Sequence, residues 1–164
     1  MYQWIEKLST RIENELRWWL NMPLVTFTQM DYDARLPERS YKEDACDDVR
    51  INKNVKIYPG QVVQAATGII SEITPGFFIE FRPRSGLASD GMVIANSPAT
   101  IDSNYRGEWK LLLGNIGEKL IVLETGDRAV QMRVVRLSRP RYKIDKIRSW
   151  TTRGSDGIGS TGLA

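Results

Sequence analysis

From Leu24 onward the apolar residues of this 164-residue chain do not hold helical spacing. They fall in runs of three to eight residues cut off by Gly, Pro, Asn and Asp. Segments 24–28, 55–57, 61–66, 77–82, 92–95, 110–113, 119–123 and 129–136 are rich in residues that suit a pleated, half-buried surface. Pro59-Gly60, Pro75-Gly76, Ser97-Pro98, residues 115–117 and Gly126-Asp127 punctuate them as turns. Many short strands without intervening helices point to an all-β jelly roll or distorted β-barrel and away from a doubly wound sheet.

Before Pro23 the pattern is different. Trp4, Ile5, Leu8, Ile12, Leu16, Trp19 and Leu20 recur at three- and four-residue spacing, with Glu6, Lys7, Arg11, Glu13 and Arg17 between them. That spacing predicts an amphipathic helix over 2–21, stopped by Pro23. Three regions follow from these changes of pattern: a helical extension at 1–22, a β domain at 23–137, and an arm at 138–164. The apolar stripe of the helix suits packing within an assembly of this chain or against a protein partner. A membrane surface suits it less, because the polar face mixes acids with bases.

Composition narrows the function classes. Hydrophobic residues at 41% and charged residues at 26% are those of a soluble domain. A net charge of only +3 does not build a nucleic-acid-binding surface. Cys46 is the single cysteine, so no internal disulfide forms and a reducing cytoplasm is expected. There is no long apolar run to span a membrane. Histidine is absent, so any catalysis rests on carboxylates, Tyr, Lys or a bound metal ion.

Five polar clusters carry the candidate chemistry. Residues 153–162 run Arg-Gly-Ser-Asp-Gly-Ile-Gly-Ser-Thr-Gly. Glycines let successive N–H groups converge on an anion, and Arg153 adds a planar fork matched to phosphate oxygens, although a flexible tail has the same composition. Arg84, Ser85 and Gly86 close a predicted strand and combine a guanidinium, a hydroxyl and free N–H groups, an oxyanion cradle or else a plain turn. In 96–108, Asp102 and Tyr105 sit three apart across an expected hairpin, so a carboxylate and a ring line one pocket or simply pack there. Residues 126–131 open a strand with Gln131 able to hydrogen-bond, and 44–50 hold three acids in a loop that suits either a hard cation or solvent.

Taken in order, these pieces resemble the five motifs of the trimeric dUTPases, the deoxyuridine triphosphate nucleotidohydrolases, over about 23–162. The most specific matches are Arg-Ser-Gly-Leu-Ala at 84–88, Ile-Asp-x-x-Tyr-Arg-Gly-Glu at 101–108 and the glycine-rich run at 153–162. The resemblance implies homotrimers of jelly-roll subunits that convert dUTP to dUMP and pyrophosphate with Mg²⁺, in active sites shared between subunits and closed by the carboxyl-terminal arm. It implies that Asp48 meets Mg²⁺ through water, and that Asp102 activates the attacking water. It implies that Arg84, Ser85, Gly86 and Gln131 bind phosphate, that Asn96 reads uracil, and that Tyr105 packs under deoxyribose. It assigns Arg153, Ser160 and Thr161 to the arm's phosphate contacts.

The chain departs from the family pattern at three places. Ile158 stands where a ring commonly covers uracil, which implies weaker nucleotide binding or looser arm closure. Cys46 replaces a glycine beside an extra acid, Asp47, and Asn104 replaces a second acid. Two rival functions belong to the same scaffold. One is dCTP deamination, alone or with dUTP hydrolysis, for which a Glu is usual where this chain has Leu112 and Arg-Ser-Ser where it has Arg84-Ser85-Gly86. The other is a non-catalytic nucleotide sensor or interaction module.

Overall fold

The computed structural model describes residues 23–147, together with positions 12, 13, 16, 151, 152, 154 and 155. Most of the helix expected over 2–21 lies outside the described residues, as do Arg153, Ile158, Ser160 and Thr161.

Alternation of apolar and polar residues builds the sheets. Strand β6 (Phe77–Pro83) buries Phe77, Ile79 and Phe81 and turns Phe78, Glu80 and Arg82 to the other face. Its neighbours are β11 (Arg128–Arg136) and β8 (Ala99–Asp102), and β2 (Asp47–Arg50) lies beyond β11. All are antiparallel, in the order β2-β11-β6-β8. A second sheet joins β4 (Val62–Ala66), β9 (Lys110–Asn115) and β7 (Met92–Ile94). Two ribbons complete the body: β1 (Val25–Gln29) with β5 (Ile69–Ile73), and β3 (Val55–Ile57) with β10 (Ile121–Leu123). The inward residues of all four sheets form one core cluster. The arrangement is consistent with a jelly roll, but its sheets do not close into a continuous barrel.

All eight expected segments are strands, with ends shifted by no more than two residues. Three strands and a helix escaped the pattern. β2 is acidic, and Asp is a poor strand former until tertiary partners satisfy it. β5 follows β4 across only Thr67 and Gly68, so the two read as one run. β8 hides behind Pro98. Residues Ser85–Ser89, expected as a turn, form the short helix α1, with Arg84 extended just before it. Residues 96–108 are not a hairpin, because β8 pairs with β6 whereas β9 pairs with β4 and β7. The segment is the corner where the chain crosses from one sheet to the other.

Trp109 ties that corner down. It is fully buried and meets Phe27 and Phe81 edge-on, with centroids 5.5 and 5.4 Å away. Its indole Nε1 donates to Ser71 Oγ at 3.1 Å, its backbone N–H donates to Ile69 O, and its carbonyl accepts from Thr67 Oγ1 at 2.8 Å. Beyond α1, Gly91 holds φ +91°, and a Cβ there would lie 2.5 Å from the Gly117 nitrogen. We expect Trp109→Ala to lower the unfolding free energy by about 3–5 kcal/mol, as large aromatic truncations do. Trp109→Phe should lose less, and chemical denaturation of both checks the ranking.

Candidate active site

The four-stranded sheet carries Asp48, Gln131 and Asp102 on its outer face, with Arg84 just past the end of β6, and the described motif residues fall in two groups. The first centres on Asp48 of β2. Its neighbour Val49 points inward and is fully buried, so Asp48 points outward, yet it is only 5% exposed. Side chains from three other segments cover it. Ser40 Oγ donates to Asp48 Oδ2 at 3.2 Å, and Arg128 Nη1 donates to the same oxygen at 3.1 Å. Gln131 Nε2 lies 3.4 Å from Oδ1. Arg84 Nε is 3.0 Å from Oδ1, a close ion pair whose angle does not make a hydrogen bond, so this buried N–H remains without an acceptor. The guanidinium is steadied instead through Nη1, which donates to the carbonyl of Arg128 at 3.1 Å.

A β-bulge makes this convergence possible. In a regular strand, Arg128 and Gln131 would point to opposite faces. Between Arg128 and Val130 the pairing with β2 shifts, so that Ala129 is the extra residue. Arg128 then lies opposite Arg50, Gln131 lies opposite Asp48, and both face outward. Asp47 belongs elsewhere, with Arg39 Nε and Nη2 at 2.8 and 3.3 Å from its two oxygens. Its hydrogen bond, followed by its charge, raises the Arg39 guanidinium above its ordinary pKa. Asp48, not Asp47, therefore shares space with Arg84 and Gln131.

Ser85 and Gly86 open α1 and are exposed, so first-turn N–H groups that have no partner within the helix face solvent. Gly86 has ordinary φ, and a Cβ there would meet nothing within 4 Å. The fold does not require glycine at this position.

The second group lies at the far corner. Asp102 ends β8, exposed and opposite Phe78. Its carbonyl accepts the Tyr105 N–H at 3.1 Å in a tight turn. The Tyr105 hydroxyl donates to Glu108 O at 3.1 Å, and the ring lies over Gly107, where any Cβ would overlap it. Glu108 Oε1 in turn accepts the Gly68 N–H at 2.9 Å. Tyr105 keeps 44% exposure and offers one face as a wall. Asn96 is exposed in the turn after β7.

The sheet register sets how far apart the groups are. Asp48 pairs with Gln131, Gln131 with Arg82, and Phe78 with Asp102. Three inter-strand steps of about 4.8 Å and four residues of about 3.3 Å separate the two carboxylates by roughly 20 Å. Between them Glu80 accepts from Arg82 Nε at 2.9 Å and Arg133 Nε at 3.1 Å. One chain thus brings Asp48, Arg84 and Gln131 together, keeps Asp102 and Tyr105 at the opposite corner, holds Asn96 in the turn between β7 and β8, and leaves the arm residues undescribed. Ser40 and Arg128 joined the first group unannounced. The spacing of Arg128 and Gln131 points the other way, since three residues apart in a regular strand they face opposite sides, and the bulge that aligns them leaves no mark in composition.

The dUTPase family model matches residues 32–162. The chain belongs to the dUTPase family. A Deoxyuridine 5'-triphosphate nucleotidohydrolase of Chlamydia trachomatis serovar L2 is 37% identical over 140 residues, covering 83% of this chain and 97% of that protein. Among solved structures, the dUTPase of Staphylococcus bacteriophage 80alpha with dUPNHPP superposes with a TM-score of 0.77 at 24% identity, covering 85% of this chain and 99% of that one. A mutant dUTPase from phage phi11 of S. aureus, which coordinates a structural Mg(II) ion, gives 0.69 at 20% identity, covering 77% of this chain and 99% of that one. These two share the fold of the family member described here.

Glu80 yields a prediction about pH. The Arg82 hydrogen bond, aided by Arg133 and opposed by desolvation, holds its carboxyl below the ordinary 4.5. A lowered folded-state pKa contributes stability that is present above the unfolded value and lost as pH falls through the folded one. Glu80→Gln should therefore flatten the loss of stability below about pH 4.5, and denaturation midpoints measured across that range check it.

Proposed function

We propose that this member of the dUTPase family hydrolyses dUTP to dUMP and pyrophosphate. The observation that carries the reading is the pair of groups on one sheet face: a guanidinium cluster around a buried carboxylate, and an exposed carboxylate beside a ring. Water attacks the α-phosphorus, a new P–O bond forms, and the bond to the bridging oxygen breaks to release pyrophosphate. Asp102 orients that water and accepts its proton. Arg84 and the N–H groups of Ser85 and Gly86 hold phosphate oxygens, and Gln131 adds an amide nearby. At Gly86 the open space where a Cβ would stand favours the approach of an anion.

Asn96 reads the edge of uracil. Tyr105, held against Gly107, forms a flat floor under deoxyribose that leaves little room for a bulkier sugar. Arg153, Ser160 and Thr161 of the arm contribute phosphate contacts and Ile158 covers the base, which excludes bulk water from the closed site.

No group of three or more acids able to hold a metal exists among the described residues. Asp48 offers one carboxylate, already facing two guanidiniums. Asp48 would meet a hydrated Mg²⁺ through water, with triphosphate oxygens as the ion's other partners. When bound, the ion supplies neutralisation of the charge on the phosphates and the leaving pyrophosphate.

The separation of roughly 20 Å between Asp48 and Asp102 supports a site shared between copies, since sheet spacing leaves each chain with two half-sites. Exposed Tyr142, Ile144 and Ile147 after β11 favour an arm that packs on a neighbour. A homotrimer, as the family resemblance implies, completes the site. Leu112, where the resemblance would place the Glu of a deaminase, is not ionisable. The lone thiol of Cys46 is compatible with a cytoplasmic setting.

Pyrophosphate release from a panel of nucleoside triphosphates, with and without Mg²⁺, tests the reading. We expect dUTP to be turned over, and Asp102→Asn to cut kcat by about 10²–10⁴-fold while dUTP still binds. Tight binding of dUTP by the parent chain without pyrophosphate release would establish a sensor instead. Three copies of the 18.7 kDa chain give about 56 kDa in light scattering, and an active monomer would contradict the shared site.

A further inference from the structure

We propose that Arg128 is the positioning residue for the phosphate end of the site, an assignment that rests on the proposed dUTP hydrolysis. The bulge at Ala129 turns Arg128 onto the face of Gln131, and its side chain and main chain then hold two different groups. Its guanidinium donates to Asp48 Oδ2 at 3.1 Å, with Ser40 Oγ 3.3 Å away. Its carbonyl accepts Arg84 Nη1 at 3.1 Å.

The division of partners matters. Asp48 is 5% exposed, and a buried carboxylate draws in whatever cations it can reach. If Arg84 were its sole counter-ion, the two would close into a bidentate fork, and the donors of Arg84 would be spent on protein. Arg128 occupies Oδ2 together with Ser40, which leaves Arg84 against Oδ1 alone. Arg84 Nε is then a buried N–H 3.0 Å from Oδ1 with no aligned acceptor. A buried donor without an acceptor is costly, and an incoming phosphate oxygen that realigns the guanidinium relieves that cost. Arg128 therefore keeps the anion-binding fork open and Asp48 fixed. Arg128 reaches Asp48 and Arg84, the groups of the phosphate end, so its part is to position what binds the phosphates.

The test uses the full-length assembled protein and three measurements. These are the affinity for the non-hydrolysable α,β-imido analogue of dUTP in EDTA, the same affinity with Mg²⁺, and steady-state kinetics. Arg128→Gln should weaken analogue binding in EDTA by about tenfold or more and raise KM in parallel, with kcat within about twofold. Arg128→Lys keeps the charge but not the fork, so it should recover only part of the loss. Should the Gln variant fail to assemble, the Lys variant decides on the same readouts. Analogue affinity within about twofold of the parent in the assembled variants, or a fall in kcat at constant KM, overturns the assignment. If the parent itself binds no analogue, the proposed function falls and takes the assignment with it, whereas parent binding with unaffected variants defeats the assignment alone.

Discussion

A carboxylate withdrawn from water must be met by positive charge and hydrogen-bond donors, or its burial is costly. Asp48 meets that condition, and the way it does so organises one whole end of the molecule. Ser40 comes from the loop before β2, Arg84 from the end of β6, and Arg128 and Gln131 from β11. Pairing of β2 and β6 with opposite edges of β11 is what lets these side chains reach one carboxylate. The same pairing stations α1, with its exposed Ser85 and Gly86, directly after Arg84. The contacts that neutralise one acid also gather the residues proposed to hold phosphate.

The other end of the sheet face obeys a different constraint. Its corner crosses between sheets, and crossings are held by packing more than by ladder hydrogen bonds. Trp109 provides that packing against Phe27 and Phe81. Glu108 and Gly107, just before it, fix the loop and the Tyr105 ring through the Gly68 N–H and the close ring contact. A rigid anchor beside an exposed carboxylate gives Asp102 a defined place without burying it, which suits the role proposed for it. The two groups therefore lie at opposite corners of one sheet, and the assembly proposed above would unite them.

How much of this was legible beforehand differed by element. Strands with clean alternation, such as β6 and β11, were readable because period-two burial is a local property. β2 was not, since its acidic residues belong in a strand only once Arg84, Arg128 and Gln131 surround Asp48. The corner at 96–108 passed for a hairpin because turn residues and flanking apolar runs look alike whether the strands pair with each other or with third parties. Asp48, Arg84, Asp102 and Tyr105 stood out as chemistry in sequence, whereas Arg128 did not.

Local order alone determined the all-β class, most strand positions and the five ordered motifs that mark the family, because each depends on residues close together in the chain. Which motifs meet was settled only in three dimensions. Strand register decides which side chains lie opposite one another, a single extra residue at Ala129 decides the face to which Arg128 turns, and burial decides that Asp48 and not Asp47 receives the counter-charges. Those outcomes depend on contacts between segments up to some eighty residues apart, and short-range propensity carries no information about them.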